Sequence, residues 1–382
     1  MSGMAVSFQT LVSELGMGTQ CSARFSLRTD PAEVIGQIFT GIGFGIDAWS
    51  ARQAAEGEAL ERATWQDGAL WNSVYFPDEL GVLPEEARLM LKPGHLARLA
   101  AQPAASIPAA FGDGAKPVWI PAEAVFFQTG LAQDLKRKTV TTGWAYHTTQ
   151  QAAAATAYRE VIERDLQMLF WFGRLTPYLS SPQPQCLEAW LVRLGLLAEK
   201  RSLLRVLQVE VTLAERFGGA GWFTLVFQPS VEMPYLSLGS ALKTDREHSF
   251  RAALGEYWML RCFQKDQLLC GVNQAEPTTF TAHVIAASHD PTLRDRALTL
   301  TQDAINNETA KETVLNYQAL EYWVAFFQPP PIFPHGVVAK AWVDGCQPMI
   351  PAGFPCGLTA RWRDEWSISL PEWEAQRWHP YP

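Results

Sequence analysis

The sequence predicts an α/β or α+β fold in which β-sheets are flanked by helices. Segments rich in β-branched and aromatic residues, which read as strands, alternate with alanine-rich segments that read as helices along the 382 residues. In addition, three segments run from an extended, glycine-containing stretch into such a helix: GFGIDAWSARQAAEGEALERATW, TTGWAYHTTQQAAAATAYREVIERD and YLSLGSALKTDREHSFRAALGEYWMLR. This recurrence indicates an internal structural repetition.

The N-terminal half contains two of these helices. Residues 1–40 read as a short α/β lead-in, and a helix is predicted from the cap candidate Asp47 to about Trp65. Residues 66–125 read as short helices and proline-rich turns. They include AQPAASIPAAFGDGAKP, predicted as a surface loop, and run into VWIPAEAVFF, predicted as a strand. The second helix is predicted over about 150–172, with a buried end.

The C-terminal half continues the alternation. A helical stretch leads into the strand LLRVLQVEVTLA, and the turn FGGAG leads into the strand AGWFTLVFQPS. The third helix is predicted from about Arg246 to Phe263. Residues 285–325 read as polar and helical, and GVVAKAWVDG reads as a late strand.

The composition argues against a nucleic-acid partner and predicts a location in the cytoplasm. The formal net charge of −8 argues against a nucleic-acid partner, since binding to a phosphate backbone needs clustered lysine and arginine. The first residues show no basic start or apolar signal region, and no apolar run has membrane-spanning length. The six cysteines are scattered without a CxxC spacing, so reduced thiols in the cytoplasm are expected.

The clearest functional pattern is a pair of glutamates three positions apart in the first two helices. The residues are Glu58, Glu61 and Arg62 in the first helix, Glu160, Glu163 and Arg164 in the second, and Glu256 alone in the third. Positions i and i+3 share one helix face, so each pair directs its carboxylates the same way. A single motif of this kind is usually a solvated face with a local salt bridge. Two copies after similar lead-ins favour a shared cation site.

A nucleotide site fits this pattern of acidic residues. Mg²⁺ prefers hard oxygen ligands and keeps nucleotide phosphates as further ligands. The phosphate loop GxxxxGK[ST] is absent, and GIGFGI does not supply GxGxxG in register. The pattern therefore admits an ATP site that is not built on a P-loop.

The three segments and the tail together resemble the YcaO family. GFGIDAWSARQAAEGEALER resembles its first signature, TTGWAYHTTQQAAAATAYREVIER its second, and GSALKTDREHSFRAALGEYW its third. The final HPYP is similar to the proline-rich tail of members that form azolines. The matches extend from about residue 40 to the end of the chain, in the family's order and spacing.

The resemblance implies a YcaO-like fold and an ATP-dependent peptide cyclodehydratase. A Cys, Ser or Thr side chain of the substrate attacks the preceding carbonyl, the amide oxygen takes the γ-phosphoryl group of ATP, and loss of phosphate leaves a thiazoline or oxazoline. The implied Mg²⁺ ligands are Glu58, Glu61, Glu160, Glu163 and Glu256. The implied ATP-binding residues are these five together with Arg62 and Arg164, the arginines that close the motifs. The implied catalytic tail is Pro380, Tyr381 and Pro382, whose terminal carboxylate would lie near the reacting amide.

The pattern is similar to the cyclodehydratase subunit of microcin-type thiazole/oxazole synthetases. That subunit shares an aromatic–histidine turn, here Tyr146 and His147, and a proline-ending tail. The similarity implies one YcaO-like domain over residues 1–382, with 1–40 as lead-in and 371–382 as tail. It also implies three partners: a ribosomal precursor peptide, an E1-like protein that binds the leader peptide, and an FMN-dependent azoline dehydrogenase.

The chain also departs from the family pattern at several nucleotide-contact positions. The departures are Phe44 for a lysine, Ala54 for a serine, Thr148 for an asparagine, Ala152 for an acid, and Ala252 for an arginine, with Arg251 one position away. Two alternatives therefore stay open. One is a degenerate, non-catalytic scaffold subunit, and the other is a different ATP-driven amide modification that forms a thioamide or amidine.

Overall fold

Three β-sheets and the helices around them make up the described part of the computed structural model. The structure describes residues 4–12, 19–27, 37–45, 47–66, 83–91, 106–111, 118–126, 141–193, 204–269, 280–306, 314–327, 336–349, 357–376 and 379. The chain divides into two units. The first comprises Met1–Glu14, Gly18–Val161 and Leu320–Cys346, and the second comprises Leu15–Met17, Ile162–Ala319 and Gln347–Pro382. The assignment of 1–382 to one domain stays a prediction.

The first unit begins with an antiparallel sheet covered by a helix. β1 (Met4–Val12), β2 (Thr19–Leu27) and β3 (Gln37–Gly45) are adjacent in that order. The described part of the predicted α/β lead-in is thus all strand. α1 (Ala48–Gln66) packs on β3 through buried alanines. Asp47 caps this helix as predicted, because its Oδ1 accepts the backbone N–H of Ser50 at 2.7 Å.

The second sheet of this unit is antiparallel, with the order β5-β4-β11-β12-β6. Its strands are β4 (Ser106–Phe111), β5 (Val118–Pro121), β6 (Trp144–His147), β11 (Tyr322–Phe327) and β12 (Val337–Val343), and two short helices, α2 (Glu85–Leu89) and α3 (Ala122–Val125), belong to the same unit.

Two sequence predictions need correction here. The stretch predicted as a surface loop contains β4, because pairing with β5 and β11 overrides its proline and glycine content. The segment VWIPAEAVFF is a strand only as far as Pro121, after which α3 begins.

The long helix α4 (Gln150–Trp171) agrees with the predicted 150–172, and its C-terminal end is buried as expected. Its residues as far as Val161 belong to the first unit, and those from Ile162 onward belong to the second.

The second unit has a four-stranded sheet with the order β10-β7-β8-β9. Its elements are α5 (Pro184–Arg193), β7 (Arg205–Thr212), β8 (Ala220–Pro229), β9 (Leu236–Lys243), α6 (Arg246–Leu269), α7 (Phe280–Ser288), α8 (Pro291–Asn306), β10 (Leu315–Asn316), α9 (Ala360–Asp364) and α10 (Leu370–Gln376).

The predicted strands β7 and β8 pair antiparallel across the FGGAG turn, whose Gly218 has φ 118°. α6 packs on β8 and β9 and is longer than predicted. The stretch 285–325, predicted to be helical, includes all of β10 and part of β11 as well as helices. Among the described residues, no helix is both long and apolar enough to cross a bilayer.

One buried carboxylate ties α4 to the C-terminal segment of the second unit. Asp165 is fully buried, and its Oδ1 accepts hydrogen bonds from the backbone N–H of Gln347 (2.8 Å) and the indole N–H of Trp362 (2.7 Å). Its Oδ2 accepts from the Tyr317 hydroxyl (2.8 Å) and the Arg361 guanidinium (3.1 Å). These four donors compensate for the lost hydration of the charge.

Replacing Asp165 with alanine is expected to lower the free energy of unfolding by about 3–5 kcal/mol. Three neutral donors lose their acceptor, and the Arg361 guanidinium is left with Glu365, whose side chain is exposed. Chemical denaturation measures the change. Asp303→Ala, at an exposed position of α8, serves as the control and should change the free energy by less than about 0.5 kcal/mol. A loss below about 1 kcal/mol in Asp165→Ala would contradict this role.

Candidate functional site

The predicted glutamates share one kind of contact, a hydrogen bond from the backbone of a strand. Glu58 of α1 accepts the N–H of Ile42 in β3 at 2.5 Å, and Glu256 of α6 accepts the N–H of Ser240 in β9 at 2.6 Å. Donor and acceptor are 16 residues apart in both cases. The first and third strand–helix segments therefore place their glutamates in the same way.

Close strand–helix packing accompanies these contacts. A Cβ atom added at Gly41 of β3 would overlap the Ala55 carbonyl oxygen of α1, and one added at Gly239 of β9 would overlap the Ala253 carbonyl oxygen of α6. Each glycine again lies 14 residues before its helix partner, as the residue numbers show. Only glycine lets the two backbones approach this closely.

Hydrogen bonds between glutamates and backbone N–H groups recur in the second segment, and they also join each segment to the next one. Glu160 accepts the N–H of Gly143, just before β6, at 3.2 Å. In the first unit, Glu61 of α1 accepts the N–H of Tyr146 in β6 at 2.7 Å. In the second unit, Glu163 of α4 bonds the strand of the third segment. The first glutamate of each pair thus bonds the extended segment that precedes its own helix, and the second glutamate bonds the strand of the next segment. This pattern supports the predicted internal repetition.

The first unit gathers three of the predicted glutamates and one arginine. Burial raises the pKa of Glu61 well above its usual range, and the carboxylates of Glu160 and Glu58 raise it further. Arg62 forms a salt bridge with Glu58 at 2.5 Å and donates to the carbonyl oxygen of Thr40 at 3.0 Å. The Arg62 side chain is 45% exposed, so this ion pair contributes little to stability.

The second unit gathers Glu163, Glu256 and Arg164 around Ser240. Glu163 accepts the Leu242 N–H and the Ser240 hydroxyl, both at 2.9 Å. Burial raises the pKa of Glu256 to about 7; the nearby Arg164 lowers it and Glu163 raises it. Arg164 lies 3.7 Å from Glu256, beyond hydrogen-bond distance.

The raised pKa of Glu256 predicts a pH-dependent stability. A glutamate carboxyl ordinarily has a pKa of 4.5, and that of Glu256 is about 7 in the folded chain, so between these values the folded state holds more protons than the unfolded state. The contribution of Glu256 to the free energy of unfolding should therefore fall as pH rises through this window, by on the order of 1–3 kcal/mol, and change no further above it.

Urea denaturation of the protein and of Glu256→Gln across this pH window measures the effect. The glutamine side chain cannot ionise. The free energy of unfolding of Glu256→Gln should therefore rise relative to that of the unsubstituted protein as pH increases. Parallel pH profiles for the two proteins would contradict the assignment.

The carboxylates of both units fit Mg²⁺ and a nucleotide. They are hard oxygen donors, which Mg²⁺ prefers. In each unit the neighbouring carboxylates raise the pKa of one glutamate, Glu61 or Glu256, and a bound divalent cation would lower that pKa again. Within the described ranges, no three or more His, Cys, Asp and Glu side chains are placed to hold a metal ion.

The structure thus places seven predicted site residues in two groups. Glu58, Glu61, Arg62 and Glu160 lie in the first unit, and Glu163, Arg164 and Glu256 lie in the second. Pro380, Tyr381 and Pro382 fall outside the described residues, so their catalytic role stays a prediction. The neighbouring His379 is buried.

Ser240 is a site residue that the sequence motifs did not predict. Its backbone N–H bonds Glu256, its hydroxyl donates to Glu163, and it also contacts the buried side chain of Gln167. Aligning the segments on their glutamates would have found it, because Ser240 precedes Glu256 by the same 16 residues that separate Ile42 from Glu58.

Comparison with known proteins places this geometry in a family. The family model described as YcaO cyclodehydratase, ATP- and Mg²⁺-binding, matches residues 42–318. No curated protein matches the sequence.

Three solved structures share the fold. A YcaO from Methanopyrus kandleri, bound with AMPPCP and Mg²⁺, has a TM-score of 0.56 at 15% identity, with 90% of each chain covered. A chain of the E. coli microcin synthetase McbBCD complex with pro-MccB17 has a TM-score of 0.56 at 14% identity, covering 89% of this chain and 86% of that one.

The third is a heterocyclase in complex with substrate and cofactor, with a TM-score of 0.57 at 14% identity and 90% of this chain covered. The chain spans about 50% of the length of that heterocyclase. At these identities the similarities show the fold, and they confirm the predicted arrangement of sheets flanked by helices.

Proposed function

The chain belongs to the YcaO family of ATP- and Mg²⁺-binding cyclodehydratases, and from that premise we propose that it is the cyclodehydratase subunit of a multi-subunit azole synthetase. Its substrate is a ribosomal precursor peptide whose Cys, Ser or Thr residues become thiazolines or oxazolines. The side chain adds to the preceding carbonyl carbon, and the amide oxygen accepts the γ-phosphoryl group of ATP and departs as phosphate.

The observation that carries the proposal is the repeated anchoring of the five glutamates. A backbone N–H, from a strand or in the case of Glu160 from Gly143 just before β6, holds one oxygen of each carboxylate, which fixes the direction of the other oxygen. Such preorganised oxygens suit a ligand that needs fixed geometry, as a magnesium triphosphate does for in-line transfer.

The chain's own residues have separate tasks in this mechanism. Mg²⁺ with ATP, when bound, supplies the electrophilic phosphoryl group and neutralises its charge. Glu58, Glu61, Glu160, Glu163 and Glu256 would hold that cation and nucleotide. Arg62 and Arg164 would bind the nucleotide; Arg62 also bonds Glu58, and Arg164 lies 3.7 Å from Glu256. By the family resemblance, the tail residues Pro380, Tyr381 and Pro382 would lie near the reacting amide.

The proposed complex includes two partner proteins in the cytoplasm. An E1-like subunit would bind the leader of the precursor peptide, and an FMN-dependent dehydrogenase would oxidise azolines to azoles. The microcin synthetase with the same fold is itself a complex with its precursor pro-MccB17.

Mass spectrometry of the precursor after incubation with the complex, ATP and Mg²⁺ tests the proposal. We expect the loss of one water per azoline, and of two further hydrogens for each azoline that the dehydrogenase oxidises to an azole, only when ATP is present. Exchange of oxygen for sulfur would indicate a thioamide synthetase instead, and ligation of an amine with loss of water would indicate an amidine.

A non-catalytic scaffold subunit is the second candidate, and the replaced family positions favour it. Phe44 is half-buried in β3, Ala54 is exposed on α1, and Arg251 is exposed on α6. Phe44 and Ala54 cannot bond a phosphate through their side chains. If saturating ATP and Mg²⁺ leave the purified chain without bound nucleotide, that result favours the scaffold function.

A further inference from the structure

A buried lysine in the first unit contacts the turn that precedes β6. Lys340 lies in β12, beside β6, and only 2% of its side chain is exposed. Its ammonium donates to the carboxylate of Glu86 in α2 at 2.9 Å and to the carbonyl oxygen of Thr142 at 2.6 Å. A buried ammonium needs such partners, because it has lost its hydration.

The same peptide unit reaches one of the proposed nucleotide ligands. The carbonyl group of Thr142 and the N–H group of Gly143 belong to one peptide, and that N–H donates to Glu160 at 3.2 Å. The Lys340 ammonium and the Glu160 carboxylate thus lie at opposite ends of a single peptide dipole. Glu86 supplies the counter-charge of the ammonium.

Contacts with β12 fix the conformation of the Thr142–Gly143 turn. Gly143 has φ 77°, a left-handed conformation that favours glycine, and its carbonyl oxygen accepts the N–H of Ala341 at 2.8 Å. A Cβ atom at Gly143 would lie 2.6 Å from the Ala341 carbonyl oxygen. β12 therefore contacts both Thr142 and Gly143 and fixes the direction of the peptide between them.

We propose that Lys340 is a positioning residue for the phosphoryl-transfer site, acting on Glu160 through the Thr142–Gly143 peptide. The positive charge at the carbonyl end polarises the peptide and strengthens the N–H that bonds the carboxylate, since hydrogen bonds in a chain reinforce one another. Glu160 is held as an oriented anion as a result. This inference rests on the proposed function in naming Glu160 as a nucleotide ligand.

The test uses a variant that removes both buried charges. Lys340→Met with Glu86→Met keeps unbranched apolar side chains of similar length, so the fold is retained. Calorimetric titration with AMPPCP and Mg²⁺ should show binding about tenfold weaker or more than in the unsubstituted protein. The control Glu86→Gln keeps the Lys340–Thr142 contact and should bind within about twofold of it.

A second background separates positioning from general support of the fold. In Glu160→Gln, where the carboxylate is already lost, the same double substitution should change nucleotide affinity by less than about twofold. An equal loss of affinity in both backgrounds would mean that Lys340 supports only the fold, and would overturn the inference.

A nucleotide-independent measurement tests the inference if the proposed function fails. With ¹⁵N-glycine labelling, the Gly143 amide proton resonance of the ligand-free protein should move upfield in Lys340→Met/Glu86→Met and in Glu160→Gln, because the hydrogen bond weakens in both. If the unsubstituted protein binds no nucleotide but this signal moves, only the proposed function is wrong. If the signal does not move, the inference is wrong.

Discussion

Replacing Glu163 with glutamine is expected to lower ATP-dependent turnover of the precursor peptide by about 10²–10³-fold. Glu163 accepts two hydrogen bonds in the second unit, from the Leu242 N–H and the Ser240 hydroxyl. Glutamine has nearly the same shape but no charge, and its NH₂ group would face one of these donors. The site then loses a proposed anionic Mg²⁺ ligand and the fixed direction of that side chain.

Initial rates of azoline formation at saturating ATP and Mg²⁺ measure this loss. Glu188→Gln provides the control, because Glu188 is an exposed glutamate of α5 in the same unit and should leave the rate unchanged. Thermal unfolding of both variants checks that the fold is intact. A Glu163→Gln variant with the turnover of the control would remove this residue from the site.

Replacing Gly239 with alanine is expected to lower the free energy of unfolding by about 3 kcal/mol or more, or to prevent folding. The added methyl group would overlap the backbone nitrogen of Tyr257 and the carbonyl oxygen of Ala253, and it would lie 2.7 Å from the Cα atom of Tyr257. These are backbone atoms, which cannot rotate away as a side chain could. β9 and α6 would have to separate, which would also displace Ser240 from Glu256.

The same substitution in α1 should have the opposite sign. A methyl group at Gly57 would lie 3.4 Å from the Tyr146 ring, an ordinary contact, and alanine is the better helix former. Gly57→Ala should therefore be neutral or raise the free energy of unfolding by up to about 1 kcal/mol. Chemical denaturation compares the two variants, and equal effects would contradict the strand–helix packing described for β9.

The repeated segments could be predicted because their signals are local. Alanine-rich helices after glycine-containing strands placed α1, α4 and the start of α6 correctly, and the spacing of the glutamates identified the carboxylates that each unit brings together. These features depend on helix periodicity and on capping, such as that by Asp47, which are properties of short stretches of chain.

Other features depend on contacts between residues far apart in the sequence. Prolines at 103 and 108 favoured a loop, but strand β4 forms because β11, more than two hundred residues later, pairs with it. Lys340 and Glu86 are likewise 254 residues apart, and neither belongs to a recognisable motif. Asp165 directly follows the second motif, yet three of its partners come from the C-terminal part of the chain.

The most direct measurement follows the oxygen of the reacting amide. The precursor is labelled with ¹⁸O in the carbonyl that precedes the modified Cys, Ser or Thr, and it is incubated with the complex, ATP and Mg²⁺. Mass spectrometry then measures the mass of the released phosphate. Phosphorylation of the amide oxygen predicts one ¹⁸O atom in the phosphate for each azoline formed. Azoline formation with unlabelled phosphate, and with the label recovered in water, would contradict the proposed mechanism.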